Sequence, residues 1–222
     1  MVKHQAQINS IMAKSDSIYS ASFTAASMMY SETLVVVQML LADNSQRTKT
    51  LLKEDVQYLK IQSASARSRV LAELSKRYDT MPESFWTSFL TLPEDQQRLA
   101  LFFVLLKTYR LLFHFQTSLA LPRYNSIDRV LENNDVLMSI NELATTDEFV
   151  DSWTDQTRKK IASTYITMLK QAGLIDKANG ELVPPALPDE ALAPYISSGN
   201  IWFLQACFIP QYKIETIKKL FV

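Results

Sequence analysis

Lysines and hydroxyl residues recur along Gln156–Lys170 at spacings that would align them on one helix face. Projected at about 100° per residue, Gln156, Lys159, Lys160, Ser163, Thr167 and Lys170 fall together, opposite Ile161, Tyr165, Met168, Leu169 and Ala172. Ammonium groups in such a row neutralise phosphates, and amide or hydroxyl groups between them hydrogen-bond within a groove. Arg158 falls nearer the apolar edge, where it either snorkels or meets a phosphate from the first turn. A second pair, Arg69 and Lys76, lies on another basic stretch, away from Val70, Leu71, Leu74 and Tyr78. Arg67 projects onto that apolar side and is the weaker candidate. Few of these groups are arginines able to grip guanine with two bonds, so the pattern predicts phosphate-dominated, weakly selective contact with double-stranded DNA. A lysine-rich face also fits plain solvation.

Other chemistries find less support. Asp147, Glu148 and Asp151 would be the carboxylates of a hydrolase, but acidic groups at that point also complement the start of a helix. Cys207 is the only cysteine, which rules out an intramolecular disulfide and a cysteine-based zinc site. It sits in the apolar run Ile201–Ile209 as a small buried hydrophobe. His4 and His114 stand in unlike contexts, and His114, within Leu111–Phe115, reads as a core or boundary histidine. Only 3 glycines occur, all at or after position 173, and no G-x-G-x-x-G or Walker A sequence is present. No catalytic constellation, cofactor, metal or small-molecule substrate is therefore expected.

The elements that must position the lysines are helices. Thr154 and Asp155 offer capping chemistry before the basic run, and Gly173 follows it where a left-handed cap is expected. Leu174-Ile175 and Leu182-Val183 then flank Asn179-Gly180, a dipeptide suited to a type I′ turn, and Pro184-Pro185 ends the second limb. Helix, short strand, tight turn, short strand is the outline of a winged helix-turn-helix. Upstream, a helix over about Thr24–Asp43, a shorter one near Thr48–Leu59 and a basic one over Ser65–Arg77 give a helix-turn-helix order without a hairpin. Pro82 and Pro93 each open a further helix, the second running as one central helix to Leu121 and stopping at Pro122. The fold class expected is mainly all-α, divided as residues 1–80, 81–145 and 146–222 and able to pack as one body.

At 222 residues with 47% hydrophobic and 21% charged content, the chain is long enough for a sizeable core. Net charge is zero, but Ser45–Tyr78 carries eight basic and three acidic residues, whereas Arg123–Asp155 carries two basic and eight acidic ones. Such blocks make binding faces, or neutralise each other across a contact. The polar N-terminus lacks the core of a signal peptide. Leu99–Leu121, the longest apolar zone, contains Lys107, Arg110, His114 and Gln116, which a lipid-exposed span tolerates poorly. No membrane partner and a cytoplasmic location are expected.

The chain resembles the BrxA family, small accessory proteins of bacterial BREX phage-defence systems. The resemblance rests on Ser22-Phe23-Thr24-Ala25-Ala26 with Glu32, on Leu105-Leu106-Lys107-Thr108-Tyr109-Arg110-Leu111-Leu112, and on Thr157-Arg158-Lys159-Lys160 leading to Gly173-Leu174-Ile175. It departs from the family pattern at Ala26, where glycine is common. The resemblance implies an all-helical cytoplasmic protein that binds double-stranded DNA without catalysis, alongside other BREX proteins. The competing reading is a protein-interaction scaffold whose acidic Arg123–Asp155 face does the docking.

Overall fold

The computed structural model describes residues 17–222, so His4 and the packing points Ile8, Ile11 and Met12 lie outside the described residues. A 3-10 turn over Ser22–Ala25 precedes α1 (Tyr30–Ala42), in place of one helix from Thr24. Phe23, Ala26 and Met28 are all buried. A helix would point Met28 away from the other two, whereas an irregular link with positive φ at Ser27 (31°) and Met29 (48°) buries all three. Ala26 itself has φ of −130°, so its conformation does not require glycine.

Ser45, Asp55 and Ser63 each accept a backbone N–H at the start of α2 (Gln46–Glu54), α3 (Val56–Leu59) and α4 (Ala64–Asp79). Arg67 is buried and donates to the carbonyls of Lys53, Glu54, Ile61 and Gln62, at 2.6–3.1 Å. It thereby satisfies orphan acceptors at the end of α2 and in the loop before α4.

Pro82 and Pro93 stand immediately before α5 (Glu83–Thr91) and α6 (Glu94–Thr108). The central helix is not continuous. It breaks at Tyr109, whose φ and ψ of −120° and 108° are extended, and resumes as α7 (Arg110–Phe115). The break is stabilised from outside. The Tyr109 hydroxyl donates to Glu73 Oε2 (2.7 Å) and accepts from Arg77 Nε (3.0 Å), while its ring stacks edge-on against Phe23. Nor does Pro122 end the run: a π-helical turn, Gln116–Ala120, leads into α8 (Leu121–Tyr124) with the proline near its start. Proline lacks an N–H and crowds the carbonyl four residues back, and the wider turn relieves both. Among the described residues no single helix is long and apolar enough to cross a membrane, and α6 meets the Arg110–Tyr124 stretch at 108°. Lys107 and Arg110 reach the surface.

α9 (Asn133–Ala144) and the short α10 (Glu148–Asp151) lead to α11 (Asp155–Gln171), which packs chiefly against α9. No strand forms after it among the described residues. Pairing is limited to two isolated antiparallel bridges, Ile175 with Leu182 and Val130 with Glu181. Each limb has about two residues before Gly173 or Pro184-Pro185 interrupts it, too few to add a second ladder pair. The turn is not type I′ either. Gly180 has positive φ (77°) but Asn179 does not, and Gly180 N donates to Asp176 O (3.0 Å) across a four-residue loop. Asp176 and Asn179 carboxyl and amide oxygens accept from Ala178 N and Glu181 N, which holds that wider loop.

α12 (Asp189–Ser197), α13 (Ile201–Ala206) and α14 (Gln211–Phe221) close the body. Phe203 lies 4.9 Å from the Phe103 ring, and Gln116 Nε2 donates to Ala206 O at 2.5 Å. One contiguous set of buried side chains runs from Phe23 to Ile217.

Candidate nucleic-acid interface

α11 forms as its residues dictate. The Thr154 hydroxyl accepts from Thr157 N (3.2 Å) at its start, and Gly173 (φ 73°) turns the chain at its end. Leu174 N then donates to Leu169 O (2.9 Å), the long bond of a Schellman motif. Ile161, Tyr165, Met168, Leu169 and Ala172 are buried. Tyr165 donates to Gln116 Oε1 (2.7 Å), and burial pushes its phenol well above the usual range. With that face fixed, Gln156, Lys159, Lys160, Ser163, Thr167 and Lys170 are all exposed in one stripe. Among the described residues the three lysines form no salt bridge.

Two details refine what the stripe offers. Ser163 Oγ donates to Lys160 O (3.1 Å) and Thr167 Oγ1 to Ser163 O (2.7 Å), so both hydroxyl protons are committed to the helix backbone. What they present outward is lone pairs. Arg158 is turned inward, donating to Trp153 O, Asp151 O and Asn141 Oδ1 at 2.7–3.1 Å. It joins α9, α10 and the start of α11, and its donors are not directed at a ligand.

Charge is graded along α11. Around its first turn stand Glu148, Asp151 and Asp155, all exposed. Its far end borders a cleft of about 570 Å³ lined by Thr167, Lys170, Gln171, Lys177, Glu94, Asp95 and Arg98, among others. Lys177 lies in the four-residue turn and is exposed; it has no neighbour in the helical pattern, so only the folded loop associates it with Lys170.

Arg69 and Lys76 are exposed on α4, with Lys76 Nζ 4.7 Å from the centre of the Tyr109 ring. The Ser22–Ala25 turn packs against both α4 and α11, so the two basic helices flank one element. The remaining reactive groups are placed otherwise. Cys207 is fully buried and its thiol is pushed well up by desolvation. His114 is half-buried beside Tyr19, with burial and then Arg110 lowering its affinity for a proton. Asp147 caps α10, accepting from Val150 N (3.0 Å) and from Ser17 Oγ (2.7 Å).

Comparison with curated proteins returns no match. A crystal structure of an uncharacterized protein from Magnetospirillum magneticum is similar, at a TM-score of 0.73 and 17% identity, covering 86% of this chain and 98% of that one. At that identity the likeness concerns the fold. The BrxA family description matches residues 17–198, most of the chain. The chain belongs to the BrxA family, a family associated with BREX systems.

Proposed function

We propose that this protein is a non-enzymatic accessory component of a BREX phage-defence system that binds double-stranded DNA mainly through its phosphates. The observation that carries the proposal is the α11 stripe, where Lys159, Lys160 and Lys170 stand exposed without carboxylate partners among the described residues. Chain order supports it. Helix, a bridged residue at Val130, α9, α11 and a bridged hairpin follow one another as in a winged helix-turn-helix. Weak sequence selectivity follows from the chemistry of the stripe, since lysines are point charges and the Ser163 and Thr167 protons are already used.

The test is a titration of unrelated short duplexes at several salt concentrations. Lys159→Ala with Lys160→Ala should weaken every duplex about equally and flatten the log–log salt slope by roughly one per lost contact. Both side chains are exposed, so the fold should persist within about 0.5 kcal/mol. Unchanged affinity and slope in the folded variant would remove the N-terminal half of α11 from the interface and shift attention to Arg69 and Lys76.

A scaffold role has its own observation in favour. Glu142, Glu148 and Asp155 are exposed and without ion-pair partners among the described residues, and Met138 on α9 is 64% exposed beside them in sequence. On that reading charge reversal at Glu142 and Glu148 abolishes assembly with another defence protein while the lysine changes are silent. DNA binding predicts the opposite ranking, because removing negative charge favours a polyanion.

A further inference from the structure

Resting on the DNA-binding reading, we infer that the duplex is gripped from the far end of α11, with a phosphate seated in the cleft between Lys170 and Lys177, and not from the helix's first turn. The usual way for such a helix to enter a groove is by its N-terminal residues. Here that end is closed to a polyanion. The Thr154 hydroxyl and the Asp155 side chain occupy the first turn, and Glu148 and Asp151 surround it with further negative charge. Arg158, the one cation nearby on α11, is held inward by Trp153 O, Asp151 O and Asn141 Oδ1.

The other end has the opposite character. Lys170 and Lys177 line a cleft of about 570 Å³, ample for a phosphate. On the facing wall Glu94 is neutralised by Arg98, which contacts it through Nη2 (2.6 Å) and Nε (2.8 Å). Asp95 is the uncompensated carboxylate there, and its Oδ1 accepts from Gln96 N (2.8 Å). Gln171 places a carboxamide oxygen in this region that meets no donor; rotated by half a turn, the group presents two N–H donors instead. From Lys160 to Lys170 the helix rises about 15 Å at ~1.5 Å per residue. A major groove is about 12 Å wide, so the two lysine clusters match its opposite lips, with Ser163 and Thr167 between them.

The experiment compares four folded proteins, each as the full chain, by fluorescence anisotropy on one 20-base-pair duplex across a salt series. Lys170→Ala with Lys177→Ala should cost roughly tenfold or more in affinity near 0.1 M salt and lower the slope by roughly two. Asp95→Asn, which removes the carboxylate facing the seated phosphate, should tighten binding several-fold. Asp155→Asn should leave affinity nearly unchanged. Tightening by Asp155→Asn with silence at Asp95 and at both lysines would overturn the inference, placing DNA at the first turn. The outcome is separable from failure of the parent reading: if the unaltered chain binds no duplex even at low salt, DNA binding itself falls. If it binds and only Lys159→Ala with Lys160→Ala matters, the cleft alone is wrong.

Discussion

At the scale of single residues, three arginines show how position decides what a charge does. Arg67, Arg77 and Arg158 all point inward and give their donors to carbonyls or to Tyr109, whereas Arg69, one turn away from none of these acceptors, stays in water. Counting basic residues in Ser45–Tyr78 therefore overstates the charge available to a ligand. Arg67 was legible as the odd one out from its place on the apolar side, but its four carbonyl acceptors come from loops that helical periodicity does not describe. His114 carries the pH prediction. Its protonation is disfavoured in the fold by burial and by Arg110, so the unfolded chain binds the proton more readily. Stability should therefore be complete above the ordinary histidine range and decline as pH falls through about 6.5, the value for the unfolded chain. Urea midpoints measured from pH 7.5 to 5 should fall less steeply in His114→Gln than in the unaltered chain; parallel curves would show that histidine does not contribute.

At the scale of elements, α11 was almost wholly readable because its causes are local. Its cap, apolar spacing and terminal glycine all lie within twenty or so residues of each other. The break at Tyr109 was not readable, since the groups that hold it, Phe23, Glu73 and Arg77, come from helices and turns more than thirty residues upstream. The wing fell between these cases. Asn179-Gly180 located the turn, but the Asp176 and Asn179 side-chain bonds selected a four-residue loop, and that loop is what carries Lys177 to the cleft. Gly173→Ala tests how α11 is joined to it. A Cβ there meets nothing within 4 Å, so only the left-handed backbone (φ 73°) opposes the change. We expect a loss of about 1 kcal/mol in chemical denaturation, with duplex affinity little altered at temperatures where the variant is folded. A loss of several kcal/mol would mean that crowding, and not conformation, explains the glycine.

At the scale of the whole molecule, the three segments suggested by composition share one set of buried side chains from Phe23 to Ile217. Trp86, Trp153 and Trp202 report on everything after the first segment, while far-UV dichroism also counts α1–α4, which contain no tryptophan. Unfolding by urea should give coincident curves from the two probes. Dichroism lost before fluorescence would reveal an N-terminal segment that melts by itself. The same continuity bears on the matched region, which stops at residue 198. Beyond it, Phe203 fills the space against Phe103, and the Ala206 carbonyl receives the buried Gln116 amide that also accepts from Tyr165 beneath α11. A nonsense mutation just past Ser198 would thus spare the codons for all the lysines named above and still deprive them of the scaffold that aligns them. Heritable loss of binding can arise here from a place where no nucleic acid is ever touched.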